Sequence, residues 1–441
     1  MPHDNGPVSL RRLLLFFIPM GLSVLMINLS HVIINGTLAR SADPEMVLAG
    51  YALAMSLLAV TERPAVLFRQ TCSALVRDKR SFRAVRRVSI YVFGASLFFG
   101  GLVAYTPVGS WIFGGAYGAD PEVARQAVHA YAALMFLSVF SGIRCLYQGI
   151  IIYKMRTRWL TIAMVFRLGG MFLLSQYFLR AGVDSAIQGT IIFVFGMIIE
   201  ASLSWWEAGR LLKKMPEKDD ECEIERPGQV ASFYNPLLYS SLVVVWVLPI
   251  LNALLGTTEK GTLAVASFAV AGSLMNLVLG FFTYFHQIAL LFVKTNPLIV
   301  RKFTLMLGFI PPLLLASMAF TPIGAWMFSN VLGVKDELLQ ACLHALRGFL
   351  PFVLVFPWLD TLNGVVMAHG ETKLMFGSQV ANAIATATLI VLLALALPGW
   401  HGVLGSLAQS GGVVAELLFL AWLFRRSHRT SGNAIRIADK A

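Results

Sequence analysis

Apolar residues come in long blocks along this chain, each followed by a short polar interval. The blocks have the length needed to cross hydrocarbon, about 20 residues. They cover 13–35, 47–68, 88–108, 128–153, 160–179, 186–206, 234–255, 263–293, 303–326, 343–368, 374–397 and 403–423. The pattern predicts an all-α polytopic membrane protein with twelve transmembrane helices. The first block follows Arg11 and Arg12 as a secretory signal would, but it is too long for one and lacks a small-residue cleavage site. It reads as a retained first helix.

The longest polar interval runs from Glu207 to Val230 and has no helical apolar face. It divides the chain into an N-terminal six-helix lobe (1–206), a cytoplasmic linker (207–232), a C-terminal six-helix lobe (233–424) and a basic tail (425–441). The two lobes are copies of one unit. Thr106-Pro107-x-Gly109-x-Trp111-x-Phe113 returns as Thr321-Pro322-x-Gly324-x-Trp326-x-Phe328, a shift of 215 residues. At the same shift Gly149, Thr157 and Arg158 match Gly364, Thr372 and Lys373. Gln70 matches Gln287 at a shift of 217, and Glu200, Trp206 and Arg210 match Glu416, Trp422 and Arg426 at 216. Arg167 falls opposite Asn382. Because six is even, both copies enter the membrane in the same direction, which makes the repeats parallel and places a cavity between them.

Charge changes the picture in one respect. The net charge of +12 in a soluble chain would point to nucleic acid, yet here 25 Lys and Arg lie in loops on one side and only Arg40, Arg180, Lys260 and Lys335 on the other. That is a topology signal: it predicts cytoplasmic N- and C-termini in a plasma (bacterial inner) membrane and contact with anionic lipid, and it excludes nucleic acid as a partner. The cysteines at 72, 145, 222 and 342 follow no metal or disulfide spacing and read as packing residues.

Polar groups inside the spans are the candidate site. Asn28, His31 and Asn35 share one face of the first helix. They form either a cavity wall, with His31 holding substrate or a proton, or a set of interhelical hydrogen bonds. The second helix carries Glu62, Arg63, Arg69 and Gln70, with Pro64 able to open the backbone. A charge in mid-bilayer costs at least ~2.5 kcal/mol against lipid, so these groups face protein or a cavity. Arg144, Arg167, His286 and Asp360 add to the set, and Asn252 is the repeat partner of Asn35. Glu200 and Glu416, which the duplication keeps in both copies, suit a structural inter-helix role. Arg347, His129 and His344 sit near outer helix ends, where snorkelling suffices. Arginine outnumbers carboxylate on the cavity-forming helices, which favours an anionic substrate, because the guanidinium fork suits phosphate and carboxylate oxygens. No P-loop, metalloprotease motif or nucleophile elbow occurs, so no enzyme, cofactor or metal is expected.

Two parallel six-helix halves, a proline early in helices 1 and 7, and the Gly149…Thr157-Arg158 and Gly364…Thr372-Lys373 signatures resemble the multidrug and toxic compound extrusion (MATE) fold, a V of two lobes, within the MOP flippase superfamily. Pro19-x-Gly21-Leu22-Ser23, Ile27-Asn28, Asn35, Glu45, Leu48-Ala49-x-Tyr51, Pro64, Phe68 and Lys79-Arg80 resemble the progressive ankylosis (ANK) family most, over helices 1 and 2 above all. The resemblance implies export of organic or phosphate-containing anions by a secondary transporter. Where relatives place an acid in helix 1, this chain has Asn28 and His31, so H+ or Na+ coupling would fall to Glu62, His31 or His286. The expectation is therefore a monomeric anion exporter working by alternating access. The alternatives are an ion-coupled multidrug cation antiporter and a lipid-linked precursor flippase.

Overall fold

Backbone polar groups in hydrocarbon have no water to bond, so each segment must satisfy its own, and this chain does so as helices. The computed structural model describes residues 9–117, 120–219, 222, 224–256, 258, 260–332, 334 and 336–438. Among these there is no strand. Twelve helical spans follow in order among the described residues, and four of them, spans 2, 8, 9 and 10, consist of more than one helix.

The first unit, Leu15–Tyr234, holds six spans. Span 1 is Leu10–Leu38, span 2 the series Pro44–Thr61, Arg63–Val66 and Phe68–Leu75, and span 3 Lys79–Tyr105. Span 4 is Pro121–Tyr153, span 5 Arg158–Ala181 and span 6 Ala186–Lys213. Span 4 is the centre of the unit: it packs against spans 2, 3 and 6, and Tyr131, Leu134 and Leu137 on it are fully buried. The second unit, Asn235–Ala441, repeats the plan. Span 7 is Pro227–Gly256, span 8 Gly261–Gly280 plus Phe285–Phe292, and span 9 Pro297–Gly308 plus Ile310–Phe320. Span 10 is Asp336–Gly348 plus Leu350–Ala368, span 11 Lys373–Ala396 and span 12 Gly402–Ala438. Phe268, Phe328 and Phe349 centre its core.

The repeated Thr-Pro-x-Gly motif is a structural device. Thr106 Oγ1 accepts the Val108 N–H at 3.3 Å and Thr321 Oγ1 the Ile323 N–H at 3.3 Å, each capping a short helix whose first residue is proline. The glycine then lies against the end of the preceding span. A Cβ on Gly109 would sit 2.1 Å from the Val103 carbonyl oxygen, and one on Gly324 1.9 Å from that of Met318. One π-helical turn follows in each copy and buries Phe113 or Phe328.

The linker after span 6 folds back onto the start of span 3. Asp78 accepts from the Ser81 N–H at 2.7 Å as the helix cap and from the Asp219 N–H at 2.8 Å. The Lys79 N–H reaches the Pro216 carbonyl at 3.1 Å, and Arg83 pairs with Glu217. All four cysteines are free and buried.

Candidate functional site

Span 2 is bent by 51° at Glu62. Pro64 has no N–H to give the helix, and the short turn around it frees backbone groups in mid-span. Tyr234 supplies one replacement by donating to the Pro64 carbonyl at 2.8 Å, its ring stacked on Phe68 at 4.8 Å. Span 8 is interrupted at Phe281–Tyr284, which the 217-residue shift places opposite Pro64–Leu67. Interruption at corresponding positions of two repeats is where transporters of this construction place their binding sites.

Just beyond each interruption the two copies use one geometry with different chemistry. A Cβ on Gly149 of span 4 would lie 2.9 Å from the Arg69 carbonyl oxygen, and one on Gly364 of span 10 lies 2.3 Å from the His286 carbonyl. Arg69 and His286 are thus equivalent positions in the fold as well as in the sequence. In the first unit the Arg69 guanidinium reaches Cys145 Sγ at 3.6 Å. In the second, Asp360 occupies the place of Cys145 and its carboxylate takes both the His286 N–H at 2.9 Å and the ring Nδ1 at 3.0 Å.

Deeper in the first unit lies a cluster of charges. Glu200 on span 6 is 2% exposed and accepts from Arg167 Nη1 at 2.7 Å, Gln148 Nε2 at 2.9 Å and Arg144 Nη1 at 3.3 Å. Arg144 continues to Ser141 Oγ at 3.2 Å and to Glu62 at 3.9 Å, and the Ser141 hydroxyl donates to Glu62. Arg167 stacks over the Phe193 ring at 5.2 Å, and His31 packs on the same ring at 5.4 Å. Nε and Nη2 of Arg167 are buried with no hydrogen-bond acceptor among the described residues.

The equivalent acid in the second unit has another environment. Glu416 on span 12 accepts from Asn382 Nδ2 at 2.6 Å and from Gln379 Nε2. No Lys, Arg or His of the described residues pairs with it.

Of the residues expected at the site, the structure brings Glu62, Arg144, Arg167 and His31 together in the first unit and His286 with Asp360 in the second. Arg69 and Gln70 lie half-buried on the short helix beyond the break. Asn28, Asn35 and Arg63 are exposed on their helices. The side chain of Asn252 lies outside the described residues. The sequence reading did not foresee Glu200 as the hub, nor the part played by Ser141. Its signal was present, because Ser141, Arg144 and Gln148 share one face of span 4. At the ends of spans 10 and 12 in the second unit a pocket of about 710 Å³ is lined by His344, Arg347, Trp400 and His401. Arg347 donates to the Ala319 carbonyl there at 3.1 Å.

Two units of repeated helical plan, each with a span interrupted at a matching place, can be compared with solved structures. A MOP superfamily transporter from Pyrococcus furiosus, described as having a binding pocket of reverse polarity that suggests a different function, aligns with a TM-score of 0.74 at 16% identity over 95% of each chain. This chain has the MATE-like fold. Two further MATE structures agree: one in the bent conformation has a TM-score of 0.74 at 18% identity, covering 96% of this chain and 97% of the other. The other, an outward-facing multidrug resistance MATE transporter of the MOP superfamily, has a TM-score of 0.73 at 17% identity over 95% of each chain. Residues 7–169 match the family model described as Progressive ankylosis protein (ANKH). No curated protein sequence matches. The chain is thus a multi-pass membrane protein with a MATE-like fold, and the likeness to the ANK family model ends within span 5.

Proposed function

We propose that the chain is an alternating-access exporter of organic or phosphate-containing anions, acting as a monomer in the inner membrane with both termini cytoplasmic. The observation that carries this is the charge balance inside the first unit. Away from the span ends, four arginines, at 63, 69, 144 and 167, lie in spans 2, 4 and 5, against two carboxylates, Glu62 and Glu200, in spans 2 and 6. Glu200 and Glu62 offset two of the positive charges. Arg63 is exposed on the interrupted span 2, where backbone groups are also freed, and a bound anion would meet it there. The MOP transporter from Pyrococcus furiosus, with its pocket of reversed polarity, offers a parallel for a MATE-like fold that does not serve the usual substrates.

The test is transport in proteoliposomes of labelled citrate, phosphate and nucleotides beside a cationic dye. One charge-assisted contact is worth about 1.5–3 kcal/mol, so Arg63→Ala should lower anion transport by about tenfold or more at unchanged protein content. Normal anion transport by Arg63→Ala removes the proposal. A second reading, H+- or Na+-coupled export of cationic drugs, draws on Asp360 and Glu416, the two acids inside the second unit. Dye movement that needs an ion gradient and fails in Asp360→Asn would replace the first reading with this one.

A further inference from the structure

Duplication provides an internal control for the buried acids. Glu200 and Glu416 are equivalent, but the cations that hold Glu200 are missing from the second unit. The position of Arg144 is filled by Leu359 and that of Arg167 by Asn382, while Gln379 stands where the first unit has Met164. Glu416 is 2% exposed, and its two oxygens are met by amides, Asn382 Nδ2 at 2.6 Å and Gln379 Nε2.

The elements packed against span 12 bring no positive charge to it. Span 11 presents Gln379, Asn382 and Thr386, and its one charged residue, Lys373, stands at its start. Span 10 presents Asp360, the group that acts on Glu416 electrostatically, with the charge of Asp360 engaged by His286 on span 8. His344 and Arg347 are farther along span 10, around the pocket at the ends of spans 10 and 12. The outer part of span 8, Gly261–Gly280, has no titratable side chain, and Glu416 is the only one on span 12 itself between Gly402 and Phe424. A carboxylate sealed from water with no cation beside it carries the full desolvation cost of its charge, which a bound proton removes.

We propose that Glu416 is a proton-binding site: it holds a proton while the second unit is closed around it and releases it when water reaches span 12. The inference rests on the transporter reading for its use, as the point where a proton gradient acts on export, but not for its test. Glu200 differs in this respect, because two guanidinium groups are hydrogen-bonded to it.

The experiment is infrared difference spectroscopy of the full chain in liposomes, between mildly acidic and alkaline buffer, without substrate. The expected result is a carbonyl band of a protonated carboxylic acid that disappears at alkaline pH. The band should be absent from Glu416→Gln. It should also be absent from Asn382→Arg, which supplies the guanidinium that Arg167 gives to Glu200. Two variants guard against one that fails to fold. A band that persists in both belongs to another acid and overturns the proposal. So does a wild-type spectrum that responds to sodium and not to pH. A chain that shows the band but moves no anion loses the proposed substrate and keeps this site.

Discussion

Glu200 binds two arginines that no other carboxylate of spans 4 to 6 could satisfy, since Glu207 lies almost two helical turns farther along span 6 and pairs with Arg156 and Arg210. Removing one partner from such a set leaves buried charge exposed to low dielectric, a loss of about 3–5 kcal/mol. Glu200→Gln is therefore expected to lower the melting temperature in detergent strongly and to reduce the folded yield. Glu416→Gln should cost far less, because only neutral donors lose a partner. Equal losses for the two, measured by thermal unfolding, would contradict the difference in environment described above. At this scale the sequence shows which residues are charged within spans but not which of them meet. The pairing of Arg144 with Glu200 depends on the rotation of spans 4 and 6 about their axes, which an almost uniformly apolar pattern does not set. Nor does the sequence show that Glu62, at the bend of span 2, meets Ser141 and Arg144.

Elements in this chain are ended and interrupted by a few local devices, some legible and some not. The Thr-Pro-x-Gly turn is legible, for its cap, its proline and its glycine each have a fixed task. Gly109→Ala and Gly324→Ala should each destabilise by about 1–3 kcal/mol, as overpacking does, while Gly94→Ala, whose added Cβ meets nothing within 4 Å, should not. Unfolding in detergent decides, and a silent Gly109→Ala would refute the close approach. The break in span 2 is announced by Pro64, but Phe281-Phe282-Thr283-Tyr284 contains no breaker, and only the repeat shift points to it. The cap of span 3 has a pH signature. Burial works against ionisation of Asp78, but hydrogen bonds from the backbone N–H groups of Ser81 and Asp219 and from the Ser81 hydroxyl outweigh it and hold the carboxyl below the usual range. The stability it contributes is complete above the unfolded value, ~3.9, and is lost as pH falls through the lower folded value. Melting of the wild type should thus fall in strong acid more steeply than that of Asp78→Asn, and identical acid profiles would deny the cap this role.

At the scale of the molecule, two copies of one helical plan carry opposite internal charge: arginines dominate in the first, acids in the second. The plan itself was legible, because apolar block length, the repeated motifs and the side bias of lysine and arginine are properties of a one-dimensional string. The orientation they imply can be checked directly. With the native cysteines all buried, an impermeant thiol reagent should label Gly399→Cys in intact cells and Lys214→Cys only after the membrane is opened. The reverse pattern would invert the topology. Arg210 lies over Trp206 at 5.0 Å and Arg426 over Trp422 at 5.3 Å, each near the basic end of the last span of its copy. An indole prefers the headgroup layer, and an arginine stacked on it draws in lipid phosphate. Each copy therefore carries its own depth mark, so a lobe emerging first from synthesis can settle at its proper height in the bilayer before the other exists.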